Sequence, residues 1–268
     1  MRTILICAAF AVLGQVTALA QDDFQSLLEP KAASPSFCSA TDNSVDLSNL
    51  LPNVGDIGNC GSSWAMAPAY ALDAAYAHQG KKVQVSVQQI VSCDVTNGGC
   101  NGGDPLLAVQ YMQDHPLASF TAYPYTSGGG KTGNCLTKSN YPYEVGQYQL
   151  LPGANSIKSN ANGLPSVATM KAAMCAHGPL VSAASLGDGF TLYTGGVVGH
   201  ANSLGTCAPA NYNNLDAVVL IVGWDDKKQA WKVDPFYNSD FGVGGYVWVT
   251  YLNHTCALGA EAMWVAPK

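Results

Sequence analysis

The run Gly58-Asn59-Cys60-Gly61-Ser62-Ser63-Trp64-Ala65-Met66 constrains the fold more than any other stretch. A turn of small residues leads into an apolar, alanine-rich segment that extends to about Gln79. Ser62 is a good N-cap and Gly80 a good C-cap, so the spacing predicts a helix between them. That helix is apolar on every side, and such a helix is stable only when other elements enclose it. Pro68 falls inside its first turns, where it removes one backbone hydrogen bond and favours a kink. A small-residue turn at a helix start also presents free N–H groups and a short side chain at one point. An enzyme places an activated nucleophile at such a point, and a cysteine there would be acidified to a thiolate. The residue before Trp64 is Ser63, whose hydroxyl needs a base from elsewhere in the chain.

The chain has 268 residues, enough for one large core or two lobes. Its net charge of −6 has no basic block behind it, which argues against nucleic acid as a partner. Residues 1–20 read as a secretory signal: Arg2 supplies the charge, Ile4 to Leu13 the apolar run, and Ala18-Leu19-Ala20 the cleavage site. No later segment reaches the length of a membrane span, so the mature chain is expected to be secreted or to lie in the lumen of the secretory or lysosomal pathway. Cys7 leaves with the signal. Cys38, Cys60, Cys93, Cys100, Cys135, Cys175, Cys207 and Cys256 remain, and an even number in a secreted chain points to disulfides. Their spacing is unlike a zinc site, and neither a metal nor a cofactor is read from the sequence.

Taken in order, residues 21–43 read as a short leader and 44–58 as a crossing loop. Ser86 to Val91 predicts a short helix entered through a serine cap, Cys93 to Gly103 a Gly/Asn loop, and Pro105 to Asp114 a third helix. Thr126 to Cys135 reads as a flexible loop. Its Gly-Gly-Gly-Lys-Thr lacks the spacing and the preceding strand of a phosphate loop. Beyond about residue 145 the pattern changes. After a helix over Val167–Ala176, strands are expected at Leu180–Ala184, Val218–Val222, Ala230–Val233, Gly245–Thr250 and Ala262–Ala266. The reading is α+β, with a helical lobe over about 60–145 and a β lobe over about 146–268.

The opening run resembles the signature around the nucleophile of the papain-like cysteine peptidases, C-G-[SA]-C-[WY]. Further matches follow in the same order. Val85 to Asp94 resembles L-S-E-Q-x-L-V-D-C-D, and Gly99-Cys100-Asn101-Gly102-Gly103 matches G-C-N-G-G throughout. Tyr123-Pro124-Tyr125 matches Y-P-Y, Gly178-Pro179 opens the family's apolar strand, Val222-Gly223-Trp224 stands for V-G-Y, and Gly242 to Tyr246 fits the end of N-S-W-G-x-x-W-G-x-x-G-Y. The resemblance spans roughly residues 44–267. It implies a helical left lobe and an antiparallel β-barrel right lobe with a cleft between them. It also implies the bridges Cys60–Cys100, Cys93–Cys135 and Cys207–Cys256; parity alone then pairs Cys38 with Cys175.

The family's chemistry takes four side chains: a thiolate to attack, a histidine to carry the proton, an asparagine to orient it, and a glutamine at the oxyanion. By position these fall on Ser63, Ala217, Pro235 and Ile57. Asp216, one residue before Ala217, is a poor base for a hydroxyl. His78, His115, His177, His200 and His254 all miss the base position; His200, in a Gly-rich loop, is the nearest alternative. Losing triad members costs ~10⁴–10⁶ in rate, so turnover should be negligible. The leader of 21–43 is also too short for the family's inhibitory pro-segment.

The cleft could outlive the chemistry. Gly102 and Gly103 match glycines whose backbone pairs with a bound peptide in the family, and Trp64 remains beside them. The reading is therefore a secreted non-catalytic homologue that binds a peptide, a peptidase inhibitor or another protein. Its rivals are a Ser63-dependent hydrolase and a structural extracellular or coat glycoprotein. Asn253-His254-Thr255 is the only N-x-[ST] sequon, which makes Asn253 the glycosylation candidate.

Overall fold

The structure is a computed structural model that describes residues 35–136, 141–154, 163–200, 205–207 and 215–268. The signal segment 1–20 and the leader as far as residue 34 lie outside the described residues.

The enclosed helix is present as α1 (Ser63–His78), with every residue from Trp64 to Tyr76 buried, Pro68 included. Gly80 follows its end at φ +79°, the left-handed conformation that closes many helices. The start differs from expectation. Ser62 occupies the N-cap position but makes no capping bond; its hydroxyl is engaged by Tyr125 at 2.6 Å instead. The other two helices of this half are α2 (Val87–Cys93) and α3 (Pro105–Asp114). Ser86 Oγ caps α2 through Gln89 N–H, and Asp104 caps α3 through Leu106 and Leu107 N–H, with Pro105 at the first turn where it breaks no bond.

The second half is built on an antiparallel sheet. Its strands are β1 (Ser44–Asp46), β2 (Val145–Leu150), β3 (Leu180–Ala184), β4 (Ala217–Asp225), β5 (Ala230–Asp234), β6 (Val247–Thr250) and β7 (Ala260–Pro267). They run in the order β2-β7-β3-β4-β5-β6, with β1 also paired to β4. The helix α4 (Val167–His177) precedes β3. Neither β1 nor β2 is expected from the sequence, and β6 begins at Val247 rather than Gly245 because Gly244 and Gly245 form a left-handed turn (φ +62° and +90°).

Two cores flank this sheet. Val181, Val218, Leu220, Val222 and Met263 face α1 and its neighbours. Leu180, Val219, Ile221 and Trp224 face Met170 and Met174 of α4. A strand covered on both sides reads as an unbroken apolar run, which is why Val218 to Val222 lacks alternation. The structure joins Cys60 to Cys100, Cys93 to Cys135, Cys207 to Cys256 and Cys38 to Cys175. The first two bridges lie in the helical half and the last two in the sheet half.

Candidate functional site

A cavity of about 630 Å³ opens between the two halves. One wall is the start of α1 with the loop that leads into α3; the other is the near ends of β3, β4 and β5 with the start of β7.

The loop before α1 is fixed by close backbone contacts. Gly58 sits at φ +60°, and a Cβ there would lie 2.4 Å from the Gly128 carbonyl. Asn59 N–H donates to that same carbonyl, and Gly61 N–H to the Cys100 carbonyl, beside the Cys60–Cys100 bridge. Tyr125 ties the turn together: its hydroxyl donates to the Ile57 carbonyl (3.0 Å) and accepts from Ser62. Burial raises the Tyr125 pKa, which keeps the phenol protonated as that donor.

Ser63 is the first residue of α1 and lines the cavity. Its Oγ accepts a hydrogen bond from Val218 N–H at 3.2 Å, so the helix start is pinned to β4 across the floor of the cleft. Trp64, buried, donates from Nε1 to the Gly99 carbonyl (2.9 Å). Its ring forbids any side chain on Gly103, whose Cβ would lie 2.7 Å from Trp64 and 2.5 Å from Asn97 Oδ1. Gly102 is the opposite case. At φ +102° it needs glycine for its backbone, yet a Cβ there would meet nothing within 4 Å. Gly102 is thus required by its backbone conformation at the cleft lining, whereas Gly103 is required by packing.

On the facing wall, Ala217 opens β4 and Pro235 follows β5. Ile57 is held to the segment after β5 by its N–H donating to the Phe236 carbonyl, and Asn238 N–H donates to the Gly55 carbonyl. Ser63, Ala217, Pro235 and Ile57 thus line one cavity, together with Trp64, Gly102 and Gly103. Asp216 is also there, but Leu186 and Gly187 N–H occupy both of its oxygens (2.7 and 2.9 Å). Tyr237 beside it has its pKa raised by burial and by the Asp216 charge.

No histidine lines the cavity. His78 stacks on Phe37, His115 on Tyr111 and His177 on Trp264, while His254 Nδ1 meets the Leu258 carbonyl. His200 lies on a turn whose N–H donates to Val197. Among the described residues, no group of three or more His, Cys, Asp or Glu side chains could hold a metal ion. Among the lining residues that sequence reasoning missed, Glu261 stands out. It sits in β7 at φ +50°, one residue before the expected strand start, and its isolation among alanines was its only signal.

The family model for papain family cysteine proteases matches residues 40–266. Among curated relatives, a cathepsin L-like proteinase of Phaedon cochleariae is 30% identical over 222 residues, covering 80% of this chain and 60% of that protein. A cathepsin O of Mus musculus is 31% identical, covering 74% of this chain and 59% of its own length. The chain thus spans about three fifths of these relatives. Among solved structures, a digestive procathepsin L 3 from the larval midgut of Tenebrio molitor superposes with a TM-score of 0.69 at 25% identity, over 92% of this chain and 79% of that one. The cleft, the ordered motifs along both of its walls and these matches make one case: the chain belongs to the papain family of cysteine proteases.

Proposed function

We propose that this protein is a secreted, non-catalytic member of its family that binds a peptide or protein segment in the cleft without cleaving it. The observation that carries the reading is the state of Ser63. Its hydroxyl accepts a hydrogen bond from a backbone N–H of β4, and the cavity around it is lined by no imidazole. A serine becomes a nucleophile only when a base takes its proton. Each Asp216 oxygen already accepts a backbone N–H, and Ala217, Pro235 and Ile57 offer neither proton transfer nor an oxyanion donor from their side chains. The groove itself, with Gly102 in its lining, is intact. Bound partners in this reading are peptides, peptidase inhibitors or other proteins. The signal-like segment 1–20 and the four disulfides favour an oxidising, extracellular or lumenal setting, and exposed Asn253 is accessible to glycosylation there.

Fluorogenic peptide and ester substrates test this on purified mature protein. Expected is no turnover above buffer, and no change on Ser63→Ala. Turnover that Ser63→Ala abolishes would replace this reading with a Ser63-dependent hydrolase. A second expected result is that Ser63→Cys alone restores no peptidase activity, because the thiol gains no proton acceptor; measurable rescue would relocate the base.

A further inference from the structure

One segment of the cleft wall is shaped by a buried carboxyl group. Pro235 and Tyr237 line the cavity, and Phe236 between them is fully buried at φ +63°. A bulky residue takes that left-handed conformation only where its surroundings impose it. Asp234 imposes it from one side: its Oδ1 accepts the Phe236 N–H at 2.8 Å. The loop before α1 imposes it from the other. Ile57 N–H donates to the Phe236 carbonyl (3.0 Å), Asn238 N–H donates to the Gly55 carbonyl (3.1 Å), and Asp56 pairs with Tyr237. The Phe236 ring fills the space that a side chain on Gly55 would need, 2.5 Å from where its Cβ would lie, and meets Tyr70 edge-on with centroids 5.5 Å apart.

Asp234 is poorly placed to carry a charge. It is fully buried, and among the described residues its Oδ2 has no hydrogen-bond partner. Lys232 attracts it, but that ammonium is already held by Asp46 (2.7 Å) and Ser48 (3.0 Å). Tyr70 and Tyr246 sense the Asp234 charge, and Asp73 acts on the same Tyr70. Asp56 and Asp216 are the acids beside Tyr237. Burial pushes the Asp234 carboxyl up to about 7, although the Phe236 and Gly55 backbones and the Lys232 charge pull it down. With the proton on, Oδ1 accepts from Phe236 and no ion is enclosed. With the proton off, an ion sits in an apolar site with one oxygen unpaired, and hydration is the relief open to it.

We propose that Asp234 is a proton-operated latch on the cleft wall. Protonated, it holds Pro235 to Tyr237 against the loop before α1. On giving its proton to solvent it turns towards water, drops the Phe236 N–H and lets Phe236 leave its left-handed turn. The wall formed by Ile57, Pro235 and Tyr237 then loosens towards neutral pH. The latch stands whether or not the cleft holds a peptide, and it makes the shape of the cleft a function of pH.

The test is hydrogen–deuterium exchange of the mature protein, read by mass spectrometry from pH 5 to pH 8 and corrected for the intrinsic rate at each pH. Protection of the Ile57, Phe236 and Asn238 amides should fall about tenfold or more across that range, while the amides of α3 hold theirs. Asp234→Asn keeps an acceptor for the Phe236 N–H and cannot ionise, so its wall should stay equally protected throughout. Asp73→Asn removes the other buried acid but not the latch, and should leave the wild-type fall in place. Flat protection of the wall in the wild type would overturn the proposal with no variant needed. An equal fall in α3 would show loosening of the whole protein and overturn it as well. A fall that persists in Asp234→Asn, or one that Asp73→Asn abolishes, would assign the response to another acid and overturn the role of Asp234.

Discussion

Stability is expected to be greatest in mild acid and to fall as pH rises from about 4 through about 7. The cause is two carboxyl groups shut inside the helix–sheet junction. Asp234 is fully buried at the end of β5; one oxygen accepts Phe236 N–H at 2.8 Å, and among the described residues the other has no hydrogen-bond partner. Burial pushes its pKa from the ordinary 3.8 up to about 7. Asp73 on α1 is equally enclosed, with one oxygen accepting Val85 N–H and the other without a hydrogen-bond partner among the described residues, and its pKa is also raised well above normal by burial. Burial, and then the neighbouring Asp234 and Asp73 charges, raise the Tyr70 pKa and keep it protonated.

The sign follows from which state holds the protons. The folded protein binds these protons more tightly than the unfolded chain, so their contribution is fully present below the unfolded value of 3.8. It is lost as pH climbs through the folded value near 7. For Asp234 the swing is on the order of 4 kcal/mol, and Asp73 adds to it in the same direction. Asp46 works oppositely. Although burial opposes the shift, hydrogen bonds from Lys232 and Ser48 lower its pKa, so its contribution disappears only below 3.8. Urea denaturation midpoints measured from pH 3 to pH 8 should therefore peak near pH 4, and Asp234→Asn should flatten the descending limb. Midpoints that stay level or climb between pH 4.5 and pH 7.5 would contradict this account.

The other large effect is expected at Trp64. Its ring is 1% exposed, backs Gly103 and helps enclose the first turn of α1. Trp64→Ala should cost about 3–5 kcal/mol, the range for emptying a buried aromatic site. Trp64→Phe keeps most of the volume but leaves the Gly99 carbonyl without its donor, at a cost of about 1–3 kcal/mol. Denaturant titration of both variants gives the two values. If alanine and phenylalanine prove equally mild, Trp64 is a lining residue and not a support.

Much of this was legible because the signals were local. Pro105 starts α3 where its missing N–H does no harm, and the apolar run of Leu180 to Ala184 is all strand. The four positions around the cleft could be reached by counting from motifs whose glycines and cysteines cannot shift without breaking a turn or a bridge. What was illegible depends on distant partners. β1 is three residues long and exists through its pairing with β4, where Gly223 lets the Val45 carbonyl approach within 2.1 Å of a virtual Cβ. β2 carries Gly146 and exposed glutamines, and only its pairing with β7 makes it a strand. Ser62 has the right residue type for a cap, yet Tyr125, 63 positions away, takes its hydroxyl. Glu261 gains meaning only beside Asp104, which lies on the opposite wall of the cleft.

The placement of the disulfides has a mechanical consequence. Cys60–Cys100 and Cys93–Cys135 lace one half to itself, Cys38–Cys175 and Cys207–Cys256 the other, and no sulfur link spans the groove. The halves are held instead by the apolar packing of α1 on the sheet and by hydrogen bonds such as that from Val218 N–H to Ser63. A change in the groove's width therefore breaks no disulfide, while each half stays laced to itself.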